Sequence, residues 1–414
     1  MQEERRIFMQ TSAQIKQRFE ESIPWGSSTC AKVPRQKFEP CAMKSGKGCR
    51  TYDVLGNDYV DFKCALGPVT LGYSYEPCNE AIRRQLEDGI AFSNPHILEC
   101  EVAEKLVAHI GCFEKVRFLR TGGEACAAVI RIARAYTGKN HIIQIGYNGW
   151  LNGLAIGGKV LPNVKIQQAV PGVPLEISAF YHAANWNDMQ VIADYFEQYK
   201  DDVAAVIVSA DYEHMAEGKT FYPALRKITE ENGALLMYDE IVTGFRIAMG
   251  GVGEYFGVQP DLAVFSKGMG NGVAISAYGG KKEIMETCGR NGKAFITSTS
   301  GGETIGLASV NVVIDTYLKE DVIGHMWKMG KKMWDGVNAL FDKYHIPLEF
   351  RGLYPCPALC EADESTDKGR FMNLAFKHGV VLYGTSYVNF SHQDSDITEA
   401  HKRLEEACKE YIQE

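Results

Sequence analysis

Short apolar runs recur along the middle of the chain: Val116-Arg117-Phe118-Leu119, Ile142-Ile143-Gln144-Ile145, Val203-Ala204-Ala205-Val206-Ile207-Val208, Ala234-Leu235-Leu236-Met237-Tyr238 and Leu262-Ala263-Val264-Phe265. Their length and continuity predict buried strands. Between them apolar residues fall at helical spacing, with Cys126, Val129, Ile130 and Ala133 at i, i+3, i+4 and i+7, and again from Met189 to Tyr199. Alternation of this kind predicts a mostly parallel sheet covered on both faces by helices, over residues 71–300. Residues 1–70 read as part of a smaller domain: a helical lead, a Gly26-Ser27-Ser28 turn, and a hairpin around Tyr52–Phe62 whose turn is Leu55-Gly56-Asn57-Asp58. Beyond residue 301 the pattern turns helix-rich, with a mixed stretch from Leu348 to Phe390 and a charged helix at the end.

Composition narrows the classes. A chain of 414 residues has room for two domains, and 45% apolar with 23% charged residues is a globular balance. A net charge of −8 provides no basic field for nucleic acid or an anionic membrane. The start, Met1-Gln2-Glu3-Glu4-Arg5-Arg6, lacks a signal peptide's apolar core, and no apolar run reaches the ~18 residues of a membrane span, so a cytoplasmic location is expected. The 12 cysteines are scattered, which favours reduced thiols; Cys356 and Cys360 have no histidine or second cysteine pair nearby to complete a metal site, and none is expected.

Two charged residues follow predicted strands: Asp239, in Tyr238-Asp239-Glu240-Ile241-Val242-Thr243-Gly244-Phe245-Arg246, and Lys267, in Phe265-Ser266-Lys267-Gly268. Ligands of α/β sheets bind at the carboxyl ends of parallel strands, so both side chains are placed to face one cavity. An aspartate and a lysine there suit pyridoxal phosphate, the lysine as Schiff-base amine and the carboxylate as partner of the protonated ring nitrogen. A third motif, Phe118-Leu119-Arg120-Thr121-Gly122-Gly123-Glu124, passes from strand through two glycines into a helix, a cradle suited to an anion. Each has an ordinary reading as well: a solvated lysine, an aspartate that caps a helix or pairs with Arg246, a tight Gly-Gly turn.

Taken together, residues 239–246, Gly250-Gly251-Val252-Gly253-Glu254-Tyr255-Phe256-Gly257-Val258-Gln259-Pro260-Asp261-Leu262 and Phe265–Gly268 closely resemble the class III pyridoxal-phosphate aminotransferases, and within them the glutamate-1-semialdehyde aminomutase group. The likeness extends through Gly48–Gly72 and Glu114–Gly149. It implies an α/β fold of type I, in which a large domain with a mostly parallel sheet binds pyridoxal 5'-phosphate and a small α+β domain is built from both chain ends, here 1–70 and 301–414. It also implies a homodimer with active sites at the interface. By resemblance, Lys267 and Asp239 are the catalytic pair, Ile241 packs under the ring, Tyr147 stacks on its other face, Gly122 and Gly123 form the phosphate turn, and Thr299 reaches the phosphate of the neighbouring subunit.

Several positions depart from the family pattern. Gly123 stands where a Ser or Thr is usual, Asn148 where a histidine follows the stacking tyrosine, and Ser209-Ala210 where Glu-Pro is usual. The arginine that grips the substrate carboxylate in the aminomutase group aligns with Lys32. A lysine offers a flexible point charge instead of a planar fork, which argues against glutamate-1-semialdehyde. Lys32 either meets a hydroxyl-rich, phosphorylated or differently placed anionic substrate, or is solvated. Ser93-Asn94-Pro95-His96, Gly146–Trp150 and Ser300-Gly301-Gly302-Glu303-Thr304 resemble a branch acting on sugars and aminoglycosides, which makes Glu303 and Asn148, with Lys32, candidates for substrate binding. The expected reaction is transfer of an amino group from a small-molecule donor to an aldehyde or ketone. An aminomutase or epimerase of the same family and a non-catalytic cofactor-binding protein are the alternatives.

Overall fold

The computed structural model describes residues 11–151, 172–362 and 366–413. The charged start at residues 1–6 lies outside them. The chain divides into two compact units, one from Pro77 to Ile323, the other combining the chain up to Glu76 with Gly324–Glu414.

The first of these is built on a seven-stranded sheet. Its strands are β1 (Lys115–Leu119), β2 (His141–Ile145), β3 (Tyr181–Ala184), β4 (Val203–Ser209), β5 (Leu235–Asp239), β6 (Leu262–Phe265) and β7 (Ser276–Gly280), in the order β1-β7-β6-β5-β4-β2-β3. Strand β7 is antiparallel to both neighbours and all other pairings are parallel. Strands β5 and β6 are buried at every position and β4 at all but its last, as continuous apolar sequences demand when both faces are covered. The helices of this unit include α1 (Ile97–His109), α2 (Gly122–Thr137) and α3 (Thr304–Lys319). Helix α2 buries Cys126, Val129, Ile130 and Ala133 in one core with Ile142, Ala205, Leu235 and Val264. Helix α3 packs on α1, with Lys105 paired to Asp315, so the change of unit falls after Ile323 and not near residue 301.

Two strands carry no apolar run in the sequence. Strand β3, Tyr-His-Ala-Ala, is a short edge strand, whereas β7, Ser-Ala-Tyr-Gly-Gly, ends in glycines that a pattern reading counts as breakers. The structure needs them. A Cβ on Gly279 would stand 2.5 Å from the Lys115 carbonyl oxygen, and one on Gly280 would overlap the Asp261 carbonyl.

In the second unit, Met43–Lys47, Arg50–Asp53 and Asp58–Asp61 form an antiparallel meander to which Val380–Val381 adds in parallel, pairing Val380 with Val60. Arg50 and Arg403 bind the meander to the last helix, Asp394–Tyr411, through Asp396 at 3.2 Å and Asp58 at 2.9 Å. No helix among the described residues is long and apolar enough to cross a membrane.

His392 lies fully buried in this unit, its ring stacked on Phe62 at 4.6 Å and its Nδ1 accepting from the Asn389 amide at 3.0 Å. Burial, opposed mainly by Asp396, pushes its pKa from 6.5 down to about 4. The unfolded chain therefore takes up the proton first, and stability is lost as pH falls from about 6.5 towards 4. We expect about 2 kcal/mol of unfolding free energy lost between pH 7.5 and 5 to trace to this side chain. Urea unfolding of the wild type and His392→Gln at both pH values checks it; an equal loss in the two proteins would place the acid lability elsewhere.

Candidate active site

Because β7 is antiparallel to both β1 and β6, strands β1, β2, β4, β5 and β6 all run the same way. Their carboxyl ends bring Thr121-Gly122-Gly123, the Gly146–Gly149 loop, Ser209, Asp239 and Lys267 to one edge of the sheet. That edge is where open α/β sheets bind ligands.

Asp239 is the last residue of β5, beside Ser209 of β4 and Val264 of β6 in the ladder. It is 7% exposed. Its Oδ1 accepts from the Ile241 amide at 3.1 Å, and its Oδ2 from Asn148 Nδ2 at 3.1 Å and from the Cys126 thiol at 3.6 Å. Burial raises the carboxyl pKa, while the Ile241 amide, Asn148, the Lys267 charge and the Cys126 thiol each pull it back. Lys267 responds in the opposite sense: burial lowers its pKa to about 8, Asp239 opposes this, and the fully buried Arg246 adds to the lowering. A lysine so placed is part neutral near physiological pH, as an amine nucleophile must be.

The backbone at Lys267 is left-handed, with φ 42°, which for a residue other than glycine costs on the order of 1–3 kcal/mol. Ser266 holds the turn, its hydroxyl donating to the Ile275 carbonyl at 2.7 Å and its own carbonyl accepting from the Met269 amide at 3.0 Å. Glu240, the residue after β5, accepts from the Thr243 hydroxyl and from the Val252 and Gly253 amides at 2.9 and 3.0 Å. Burial pushes its pKa up to about 7. Through these bonds it fastens residues 240–253, including Ile241 and Arg246, to the strand.

The anion cradle is the N-terminus of α2. Thr121 caps it, accepting from the Glu124 amide at 3.3 Å, while the Glu124 carboxylate accepts from the Thr121 amide at 2.8 Å. The first-turn amides of Gly122 and Gly123 have no acceptor within the helix and point outward with its positive end. Glycine is required on either side. A Cβ on Gly122 would overlap Ile241 Cδ1, and one on Gly149, where φ is 95°, would stand 2.8 Å from Gly123 Cα. Around Gly123 there is room among the described residues: its Cβ would meet none of them nearer than 3.8 Å. Tyr147, half-exposed, stands in the same loop as Gly149.

The structure gives two sequence candidates, Asn148 and Glu303, different surroundings from those expected. Asn148, expected at the substrate, is fully buried against Asp239. Glu303, expected to meet substrate hydroxyls, caps α3 by accepting from the Ile305 and Gly306 amides at 3.2 and 3.1 Å, and pairs with Arg120 at 2.6 Å. Its side chain is 10% exposed, and these bonds account for it without a ligand. Lys32 is exposed in the other unit. Thr299 is exposed in the segment before α3. Cys126 and Glu240 were not singled out by sequence reasoning, although both were within its reach. Cys126 lies three and four residues after Gly123 and Gly122, on the same helix face, and Glu240 is the residue directly after Asp239.

These contacts separate two glycine substitutions. Gly149→Ala is expected to cost about 1–3 kcal/mol of stability through overlap and an unfavourable φ. Gly123→Ser, with open space around it, is expected to stay within about 0.5 kcal/mol of wild type. Thermal or urea unfolding of both variants tests the contrast, which fails if Gly123→Ser is the more damaging.

The sequence model of the family Aminotransferase class-III matches residues 31–407. The chain is 32% identical to glutamate-1-semialdehyde 2,1-aminomutase of Persephonella marina, covering 91% of this chain and 92% of that protein. It is 31% identical to the protein of the same name from Francisella philomiragia, over 87% and 89%. Among solved structures, an omega-transaminase from Sphaerobacter thermophilus superposes with a TM-score of 0.86 at 21% identity, over 97% and 98% of the two chains. A glutamate-1-semialdehyde-aminomutase from Pseudomonas aeruginosa does so at 0.80 and 18%, over 99% and 97%. The expected type I fold is therefore the observed one, and with the extent of these matches the chain belongs to the class III aminotransferases, a family that works with pyridoxal 5'-phosphate.

Proposed function

We propose that this chain transfers an amino group from a small-molecule donor to the carbonyl of an aldehyde or ketone, holding pyridoxal 5'-phosphate at the carboxyl edge of its large sheet. The observation that carries this reading is the pairing of Lys267, partly buried two residues beyond the end of β6, with Asp239, buried at the end of β5, each shifting the other's ionisation. The residues present fit the cofactor. An amine of lowered pKa, a buried carboxylate and a helix N-terminus cleared of side chains by glycine match its aldehyde, ring nitrogen and phosphate. When bound, pyridoxal phosphate supplies a carbonyl that captures amines and a ring that withdraws electrons from the substrate carbon.

The chain's own groups do the rest. Lys267 Nζ, as free amine, would hold the cofactor, and the same amine is placed to carry a proton to and from the substrate carbon. Asp239 keeps positive charge on the ring nitrogen. The Gly122 and Gly123 amides receive the phosphate, Ile241 and Tyr147 take the two ring faces, and Thr299 is assigned to the site of a second subunit in a homodimer.

A second reading is favoured by the relatives named glutamate-1-semialdehyde 2,1-aminomutase: movement of the amino group within one molecule. Lys32, in place of an arginine fork, weighs against that particular substrate and leaves a sugar or aminoglycoside carbonyl as the acceptor class to test. Supplying the holoenzyme with a panel of amino donors and carbonyl acceptors, and with glutamate-1-semialdehyde, separates the two. A keto product formed in step with donor consumption supports transfer, whereas isomerised product without keto product would sink it.

Lys267→Ala is expected to lower turnover by on the order of 1000-fold. The neutral fraction of Lys267 rises as pH passes through its pKa of about 8. Covalent uptake of cofactor by the stripped protein, trapped with borohydride and weighed by mass spectrometry, should therefore accelerate by about tenfold from pH 7 to 9. A rate that does not change over that range would contradict the role given to Lys267.

A further inference from the structure

The acceptor positions of Asp239 are unevenly used. An ionised carboxylate offers about four lone-pair positions, two on each oxygen. Among the described residues, both positions on Oδ2 are met, by Asn148 Nδ2 at 3.1 Å and the Cys126 thiol at 3.6 Å, and one position on Oδ1 is met by the Ile241 amide at 3.1 Å. One remains.

We propose that Asn148 and Cys126 are positioning residues which occupy Oδ2 of Asp239 and so present the remaining acceptor position, on Oδ1, to the single N–H of the cofactor's ring. This rests on the cofactor reading above and extends it from Asp239 to the two side chains behind it. Both come from elements that also shape the phosphate cradle: Cys126 sits one turn into α2, whose first residues are Gly122 and Gly123, and Asn148 precedes Gly149, which abuts Gly123. A shift of either element would move the cradle and the carboxylate together.

The orientation of Asn148 follows from chemistry. A carboxylate only accepts, so the amide nitrogen must face it. Among the described residues Asn148 Oδ1 is then left buried without a partner, a loss that a site optimised for stability alone would not keep. Burial and the Asp239 charge hold the Cys126 thiol protonated, so it stays a donor at neutral pH. Of the charged groups nearby, Lys267 acts on Asp239 through space, Arg246 acts on Lys267 and Asp239 on Glu240, whereas Asn148 and Cys126 meet Asp239 by contact.

The test compares two ligands of the stripped enzyme: pyridoxal phosphate and an analogue in which a C–H replaces the ring nitrogen. Asn148→Leu is expected to weaken pyridoxal phosphate by about 10-fold and the analogue by less than about 2-fold, since only the former uses the presented oxygen. Cys126→Ala should act in the same direction by a smaller factor, and Cys126→Ser, which keeps a donor, should bind as wild type does. The Cys126 pair gives the same comparison if Asn148→Leu does not fold. Equal weakening of both ligands would reduce Asn148 and Cys126 to packing and overturn the proposal, as would no weakening. A wild type that binds the two ligands alike would overturn the pairing of Asp239 with the ring nitrogen itself, whereas a wild-type preference that survives in the variants would overturn only the part given to Asn148 and Cys126.

Discussion

An aspartate at the buried end of one strand and a partly buried lysine two residues beyond the end of its neighbour impose the main constraint on this molecule. Either charge alone would tend to neutralise in such surroundings, because the interior offers too little polarisation to replace water. Together they offset one another, and the offset is partial: Lys267 still titrates near 8 and Asp239 still sits above the ordinary carboxylate range. Removing one partner would leave the other uncompensated, a larger loss than the pair's own attraction. The parallel ladder from β4 through β6 fixes Asp239 and delivers the chain to Lys267 at the same edge, and the left-handed backbone at Lys267 is tolerated because Ser266 is held on both sides.

Around that pair, close approach is made possible by glycine. Gly122 admits Ile241 and Gly149 admits Gly123, so a helix terminus, a strand end and a loop meet with almost nothing between them. Gly123 is different. It has space, since no described residue would stand nearer than 3.8 Å to a Cβ there, and the missing hydroxyl is not excluded by the packing of the described residues.

The strands that hold the site were legible because they are buried on both faces and need no alternation; their apolar runs in β4, β5 and β6 stand out from the loops on either side. Strand β7 was not, since its glycines answer to the Lys115 and Asp261 carbonyls, which are distant in sequence. The places of Asp239 and Lys267 at the carboxyl ends of strands could be read from the apolar runs before them, whereas their expected chemistry came from the family resemblance. Asn148 and Glu303 could not, because a polar residue in a loop has the same appearance whether it meets a ligand, caps a helix or backs a carboxylate. Only the partners decide: Asp239 for Asn148, and the α3 amides with Arg120 for Glu303.

The parallel pairing of Val380–Val381 with Asp58–Asp61 bears on how the molecule is made. During synthesis the early meander emerges with one edge unpaired and must wait while the whole of 77–323 is translated before its neighbouring strand exists. The larger unit is contiguous and can close its sheet in the meantime, since domains generally fold as units as they emerge. The smaller one needs contacts of very long sequence separation and so comes last. Until then its open edge is exposed to wrong pairing, and the charge of Asp58, on the strand that forms that edge, is the kind of residue that discourages it.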